Sequence, residues 1–338
     1  MKALRLDSAG FDNFGLAEID APRPGAGEVL LKMSAAGVLL RDYKVVSGAY
    51  AAAEQTWPLI PGSEGVGEIV ELGEGVDRSW TGKRVNPVYV QGWQGARPHP
   101  QAIARGTLGG PLLHGCFAEY LTVPVAGVVE VPAHLSHEEA ACLPFSALTA
   151  WSAVVDQAGI ARGDVVMIQG TGGIALFALQ FAKWLGARVI VSSKNDEKLA
   201  RARALGADHV INYASTPQWA QAVLDLTEGR GADLVMDPGG TVTMLESIRA
   251  VRPCGTVSVF NALSSAELGV QLPYLLGHNI ALHGVNAGSR EAHVAMVQGI
   301  TQANLHPVLE RSYAFEDGVA AVANAPKAEQ FGKVCLRI

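Results

Sequence analysis

The stretch from Asp164 to Lys198 constrains this chain most. Val165 to Ile168 is a short apolar run of the kind found in a buried parallel strand, and Gly170, Thr171, Gly172 and Gly173 follow it with almost no side-chain bulk. From Ile174 the pattern turns helical through Leu185, Gly186 stops it, and Arg188 to Val191 reads as a second strand. The spacing is Gly170-x-Gly172-x-x-Ala175, whose third position needs only a small side chain that packs closely on a sheet. A strand, a glycine turn and a helix start in that order form a βαβ unit in which backbone can approach a ligand. The N–H groups and positive end of the helix suit a pyrophosphate, so the stretch predicts a dinucleotide site.

The alternation continues downstream. Helices are predicted over Glu197 to Leu205, Gln218 to Thr227 and Thr243 to Val251, and strands over His209 to Ile211, Leu234 to Met236, Thr256 to Phe260 and Ile280 to Val285. That order implies a doubly wound parallel sheet, hence an α/β Rossmann architecture. Upstream, the first 124 residues are β-rich, with strand-like runs at Lys2 to Leu6, Val29 to Ala36, Val66 to Glu71, Lys83 to Pro87 and Phe117 to Thr122. Turn signals such as Pro24-Gly25, Pro61-Gly62 and Gly73-Glu74-Gly75 separate them, which suits a small, partly closed barrel.

Tyr89 to Leu113 has neither period and reads as a long loop, either covering a substrate or passing over the surface. A helix is expected from a Ser136 cap to Asp156, interrupted or kinked at Pro144. The chain is then expected to end on helices at Arg290 to Ala303 and Glu316 to Ala325 and a strand at Gly332 to Ile338.

At 338 residues and 49% hydrophobic content, the chain has material for about two domains. Its 26 basic and 32 acidic residues carry a net charge of −6 with no basic run, which argues against nucleic acid as a partner. The opening MKALRLDSAG lacks the apolar core of a signal peptide and no window reaches the length of a membrane span, so a cytoplasmic protein without a membrane partner is expected. Cys116, Cys142, Cys254 and Cys335 are scattered without metal-ligand spacing, and most are expected to be buried thiols.

Several phrases together resemble the medium-chain dehydrogenase/reductase superfamily. They are Pro61-Gly62-Ser63-Glu64-Gly65-Val66-Gly67-Glu68, Leu148-Thr149-Ala150-Trp151, Gly170-Thr171-Gly172-Gly173, Leu205-Gly206-Ala207-Asp208-His209-Val210-Ile211-Asn212-Tyr213 and Phe331-Gly332-Lys333-Val334. They span nearly the whole chain, which is similar to the zinc-free alcohol-dehydrogenase-like and quinone-oxidoreductase-like branch. The resemblance implies a GroES-like substrate domain over 1–146 and 289–338 and a Rossmann domain over 147–288. It also implies a homodimer paired through sheet edges near Ile280 to Val285.

Relatives with catalytic zinc hold it through a Cys after a Gly-Val pair and a His in a Gly-His-Glu phrase. Here Leu39 and Ser63 occupy those positions, and the segment from Asn86 to Cys116 has a single Cys where the structural zinc lobe needs four, so no metal is expected.

NADP(H) is the expected cofactor. The second strand ends in Ser192 and Ser193 rather than an acidic residue, with Lys194 next and Lys198 a helical turn on, and hydroxyl and ammonium groups suit a 2′-phosphate. The two lysines can alternatively be solvated residues at a helix start. By resemblance, Lys198 and Tyr213 contact the adenine-ribose phosphate, Gly170, Thr171, Gly172, Gly173 and Ile174 the pyrophosphate, and Thr149 the nicotinamide end. Phe260, Asn261, Val285, Asn286 and Lys333 complete the expected cofactor contacts.

Tyr50 and Asp42 are the catalytic candidates. Tyr50 matches a cleft Tyr of zinc-free quinone reductases and could hydrogen-bond a carbonyl or pass a proton, or simply line the cleft. Asp42 can equally fix a loop or cap a helix, since an ionised carboxylate would oppose a developing oxyanion. The expected reaction is hydride transfer to a quinone or an α,β-unsaturated carbonyl compound. The alternatives are a zinc-independent alcohol dehydrogenase or carbonyl reductase, and an NADPH-binding protein with little turnover.

Overall fold

The structure, a computed structural model, describes all residues except 51–55, 98, 99, 105, 262, 264–269, 271 and 328. The chain forms two compact units, Met1–Leu148 with Ala287–Ile338, and Thr149–Asn286.

The first unit begins with a two-stranded antiparallel pair, β1 (Lys2–Leu6) and β2 (Phe14–Glu18). It continues through β3 (Glu28–Val38), a short helix α1 (Leu40–Val46), β4 (Glu64–Leu72), β5 (Arg84–Pro87), α2 (Pro100–Ala104), β6 (Tyr120–Pro124), β7 (Val128–Glu130) and α3 (His137–Ala141). The helix expected from Ser136 starts as a capping box, Ser136 Oγ accepting from the Glu139 N–H while Glu139 accepts from the Ser136 N–H. It does not run on to Asp156. Pro144 lacks the N–H that would continue it, and the backbone passes through wider π-type turns at Leu143–Ala147 and Ser152–Gln157 on either side of α4 (Leu148–Trp151).

The second unit is an alternating succession. Its elements are β8 (Val165–Gln169), α5 (Gly173–Trp184), β9 (Arg188–Ser193), α6 (Asp196–Ala204), β10 (His209–Asn212), α7 (Trp219–Leu226), β11 (Ala232–Asp237), α8 (Thr241–Ala250), β12 (Val251–Val259), α9 (Leu272–Gly277) and β13 (Ala281–Gly284). The six strands are parallel in the order β10-β9-β8-β11-β12-β13, which reverses direction between β8 and β11. Every residue of β8 and β11 is buried, as expected of central strands covered by helices on both faces. Val165, Met167, Val235 and Val257 pack with Trp219, Met244 and Ile248. Leu176, Phe177, Leu179 and Phe181 of α5 are also buried.

The chain returns to the first unit through α10 (Arg290–Ala303), β14 (Leu309–Ala314), α11 (Gly318–Asn324) and β15 (Lys333–Arg337). Its seven-stranded sheet runs β14-β15-β3-β4-β5-β7, with β6 also on β3. The eleven residues of β3 are long enough to serve β6 over Glu28 to Lys32 and β15 over Ala35 to Val38. Leu4, Leu31, Met33, Phe117, Phe315 and Leu336 anchor the core there. Cys116, Cys142 and Cys335 are buried thiols and Cys254 is exposed.

Candidate active site

All six strands of the second unit end at one edge of their sheet, and that edge gathers most of the residues singled out in the sequence. Gly170 leaves β8 at φ +91, a conformation that favours glycine. Gly172 is different. It caps α5 with an ordinary extended backbone, φ −80 and ψ 178, and a Cβ placed there would meet no protein atom within 4 Å. The fold therefore does not require glycine at 172. An open approach to the uncapped N-terminus of a twelve-residue helix is what a pyrophosphate requires, so these residues fit a dinucleotide.

Ser192 and Ser193 close β9 beside this turn. Ser192 is almost fully buried and acts through its backbone, its carbonyl accepting the Gly170 N–H at 2.8 Å. Ser193 Oγ accepts the Asn195 N–H at 3.3 Å, and its carbonyl accepts that of Tyr213 at 3.2 Å. Lys194 is exposed, Lys198 lies in the first turn of α6, whose cap is Asn195, and the Tyr213 side chain is exposed. Phe260 and Asn261 follow β12, and Val285 and Asn286 follow β13, at the same edge. Thr149, expected at the nicotinamide end, is completely buried.

One group at this edge escaped the sequence reading. Asp237, at the end of β11 and fully buried, accepts from Gly239 N–H (2.7 Å), Thr243 Oγ1 (2.7 Å) and Ser247 Oγ (2.6 Å), and Ser247 accepts Gln169 Nε2 of β8 at 2.8 Å. This network ties β8 to β11 where the strand order reverses, which is where open α/β sheets bind ligands. Asp237-Pro238-Gly239-Gly240, a turn signal directly after an apolar run, could have drawn attention to it.

Polar groups of the first unit converge near Leu39. Asp42, fully buried, accepts the Leu39 N–H at 2.8 Å and the Ser63 hydroxyl at 3.0 Å. Burial pushes its carboxyl up to about 6, although the Arg41 guanidinium, the Leu39 N–H and the Ser63 hydroxyl pull the other way. Arg41 Nη1 donates to Ser63 Oγ at 2.5 Å and to the carbonyls of Leu108 and Gly109, and Nη2 donates to Thr107 Oγ1 at 2.6 Å. The guanidinium lies over the rings of Tyr50 at 4.8 Å and Tyr89 at 5.3 Å. Tyr50 is thus half-buried beneath a cation and packed against the core. Asp42 caps α1, so of its two expected roles the structure displays the positional one. The sequence reading passed over Arg41; a charged pair, Arg41-Asp42, directly after the apolar run Val38-Leu39-Leu40 was the available signal.

Lys333 requires a correction. It was expected to touch the cofactor, but its ammonium is sealed in the first unit, 2.6 Å from Glu64 Oε1 and 3.4 Å from the Val38 carbonyl. Burial alone would lower its pKa; the Glu64 carboxylate and the thiols of Cys142 and Cys335 more than offset this and leave it raised. Glu64 also accepts the Ser146 N–H at 2.8 Å and hydroxyl at 3.2 Å, and a Cβ on Gly37 would overlap its carboxylate.

These donors do not fit Zn²⁺. Leu39 has none to offer, the Ser63 hydroxyl is committed to Arg41 and Asp42, and a fixed guanidinium stands beside it. Among the described residues, no group of three or more His, Cys, Asp and Glu side chains is arranged to hold a metal.

The chain matches the alcohol dehydrogenase GroES-like domain over residues 25–133 and the zinc-binding dehydrogenase family over 173–302. A zinc-type alcohol dehydrogenase-like protein of Schizosaccharomyces pombe is 35% identical over 98% of this chain and 96% of its own length. Among solved structures, an NAD-dependent alcohol dehydrogenase superposes with a TM-score of 0.89 at 30% identity, covering 100% of both chains. A mycobacterial protein complexed with NADPH superposes with a TM-score of 0.83 at 26% identity, again over 100% of both chains.

Proposed function

Because this chain belongs to the medium-chain dehydrogenase/reductase superfamily and is an oxidoreductase of that kind, we propose that it is an NADPH-dependent reductase of quinones or α,β-unsaturated carbonyl compounds working without catalytic zinc. The observation that carries this reading is the donor set at Leu39 and Ser63, which cannot hold the metal that polarises a simple carbonyl. When bound, NADPH supplies hydride. Conjugate addition spreads the resulting charge into an enolate, and hydrogen-bond donors suffice to stabilise it.

In the second unit, Gly170 to Ile174 would hold the pyrophosphate and Ser193, Lys194, Lys198 and Tyr213 the 2′-phosphate, with no acidic side chain at the end of β9 to oppose it. Ser193→Asp should lower the NADPH-over-NADH ratio of kcat/KM by at least about tenfold, the factor that 1.4 kcal/mol of discrimination gives. An unchanged ratio would count against NADP(H). The same reading includes a cytoplasmic homodimer paired through the edge strand β13.

NADPH oxidation should be followed with a panel of quinones, enones and aldehydes, on protein purified without added metal. Quinones or enones should be reduced fastest. Aldehydes reduced faster than either would favour a zinc-independent carbonyl reductase, tight NADPH binding without turnover would favour a binding protein, and about one zinc per chain would overturn the metal-free reading.

A further inference from the structure

The groups around Leu39 differ in what they can still donate. Asp42 and Glu64 are carboxylates fully inside the first unit. Ser63 spends its hydrogen on Asp42, and the Lys333 ammonium is enclosed with Glu64. Arg41 is the exception. A guanidinium carries five N–H bonds. The two on Nη1 serve Ser63 and the carbonyls of Leu108 and Gly109, and one on Nη2 serves Thr107. Among the described residues the second Nη2 hydrogen meets no acceptor, whereas the Nε–H, also without a partner among them, is closed off from solvent. The residue as a whole is only half-buried.

The guanidinium is also held in place before anything binds. Four protein oxygens hold it, the rings of Tyr50 and Tyr89 lie against it, and the Thr107 that anchors Nη2 also hydrogen-bonds the Tyr89 side chain. A prearranged cation shielded from water by aromatic faces stabilises charge that develops beside it far better than a solvated one.

We infer that Arg41 is the group that receives the acceptor's carbonyl oxygen, using its second Nη2 hydrogen, and that it stabilises the enolate oxygen formed during reduction. This rests on the proposed conjugate reduction. A C–H bond forms at the β-carbon from the hydride of the bound nicotinamide, which is oxidised. The C=C pair moves to join the α- and carbonyl carbons, the C=O pair moves onto oxygen beside Arg41, and a proton from water later adds at the α-carbon.

The test uses 4-nitrophenol, whose phenolate mimics an enolate and absorbs near 400 nm, titrated against the 338-residue chain saturated with NADP⁺. Wild type should lower the apparent pKa of the bound phenol by about one unit or more, a tenfold preference for the oxyanion. Arg41→Gln should abolish the shift and Arg41→Lys should retain part of it, with circular dichroism confirming that each variant is folded. With an enone that the wild type reduces, Arg41→Gln should lose about 10²–10³ in kcat, the usual cost of an oxyanion donor, while KM for NADPH stays unchanged. Guanidinium ion should partly restore Arg41→Ala.

No phenol shift in the wild type, an equal shift in folded Arg41→Gln, or a kcat within threefold of wild type would overturn the assignment. The phenol titration needs no turnover, so it decides the role of Arg41 even if the substrate panel defeats the proposed reduction.

Discussion

Asp42 shows how a side chain singled out by its position can serve the fold: it caps α1, one of the two roles the sequence allowed it. Its place after Gly37-Val38-Leu39 marked it as a candidate, yet in the fold both its oxygens accept from fixed donors, Leu39 N–H and Ser63 Oγ. Its carboxyl rises from its ordinary 3.8 to about 6 because burial outweighs the neighbouring cation and donors. A folded-state value above the unfolded one means that the native chain holds this proton more tightly. The stability so contributed is complete below about pH 4 and is lost as pH rises through about 6, a change of at most about 3 kcal/mol. Asp42→Asn cannot titrate, so urea unfolding from pH 4 to 7 should show a curve with that downward component removed. A variant whose slope matches the wild type would show that burial does not dominate at this carboxyl. Arg41 next door lay beyond the sequence reading, because its importance comes from Ser63 and Thr107, which are remote in sequence.

At the scale of elements, the glycine turn was legible almost residue by residue. A run of buried apolar residues, a turn without side chains and a helical period admit few alternatives, and β8, α5 and β9 lie where the pattern put them. What the pattern could not say is which glycine serves the fold and which serves a ligand. Gly170 at φ +91 serves the backbone, whereas Gly172 has ordinary dihedrals and open space. Gly172→Ala should therefore leave the melting temperature within about 2 °C of wild type while weakening NADPH binding at least tenfold, by calorimetric titration. A variant that binds NADPH normally would remove Gly172 from the pyrophosphate site.

Elements without a clear period were missed. Among the described residues strand β2 pairs with β1 alone, and its Leu16 is exposed; β14 has no fully buried residue; and α9 has none either, Tyr274 and Leu275 being partly buried against the core. The segment read as a long loop, Tyr89 to Leu113, includes the short helix α2 and supplies the Thr107 to Gly109 cradle of Arg41, with residues 98, 99 and 105 outside the described set.

Across the whole molecule, the first unit is assembled from both ends of the chain, and its closure depends on contacts spanning nearly all of the sequence. Strand β15 pairs with β3, Lys333 neutralises Glu64, Cys335 Sγ lies 3.4 Å from Cys142 Sγ, and Arg337 donates to Glu138 at 2.6 Å. The Lys333–Glu64 pair matters most because neither charge reaches water. Lys333→Met should cost about 3–5 kcal/mol in urea unfolding, since it strands a buried carboxylate. Adding Glu64→Gln should recover much of that loss, whereas additive losses would mean that the two charges do not depend on each other.

By itself, the sequence determined that this chain contains a doubly wound dinucleotide fold after a β-rich region; its family resemblance added that Leu39 and Ser63 stand where zinc-dependent relatives carry ligands. Those properties are carried by short-range patterns of apolar period, glycine and residue identity, which persist without the fold. Only the tertiary structure decided that Lys333 answers a buried carboxylate rather than a cofactor, that Asp237 stitches the strand reversal, and that the Arg41 guanidinium is held beside Ser63 and Thr107. Each depends on a charge or donor meeting a partner remote in sequence, and folding alone sets that distance.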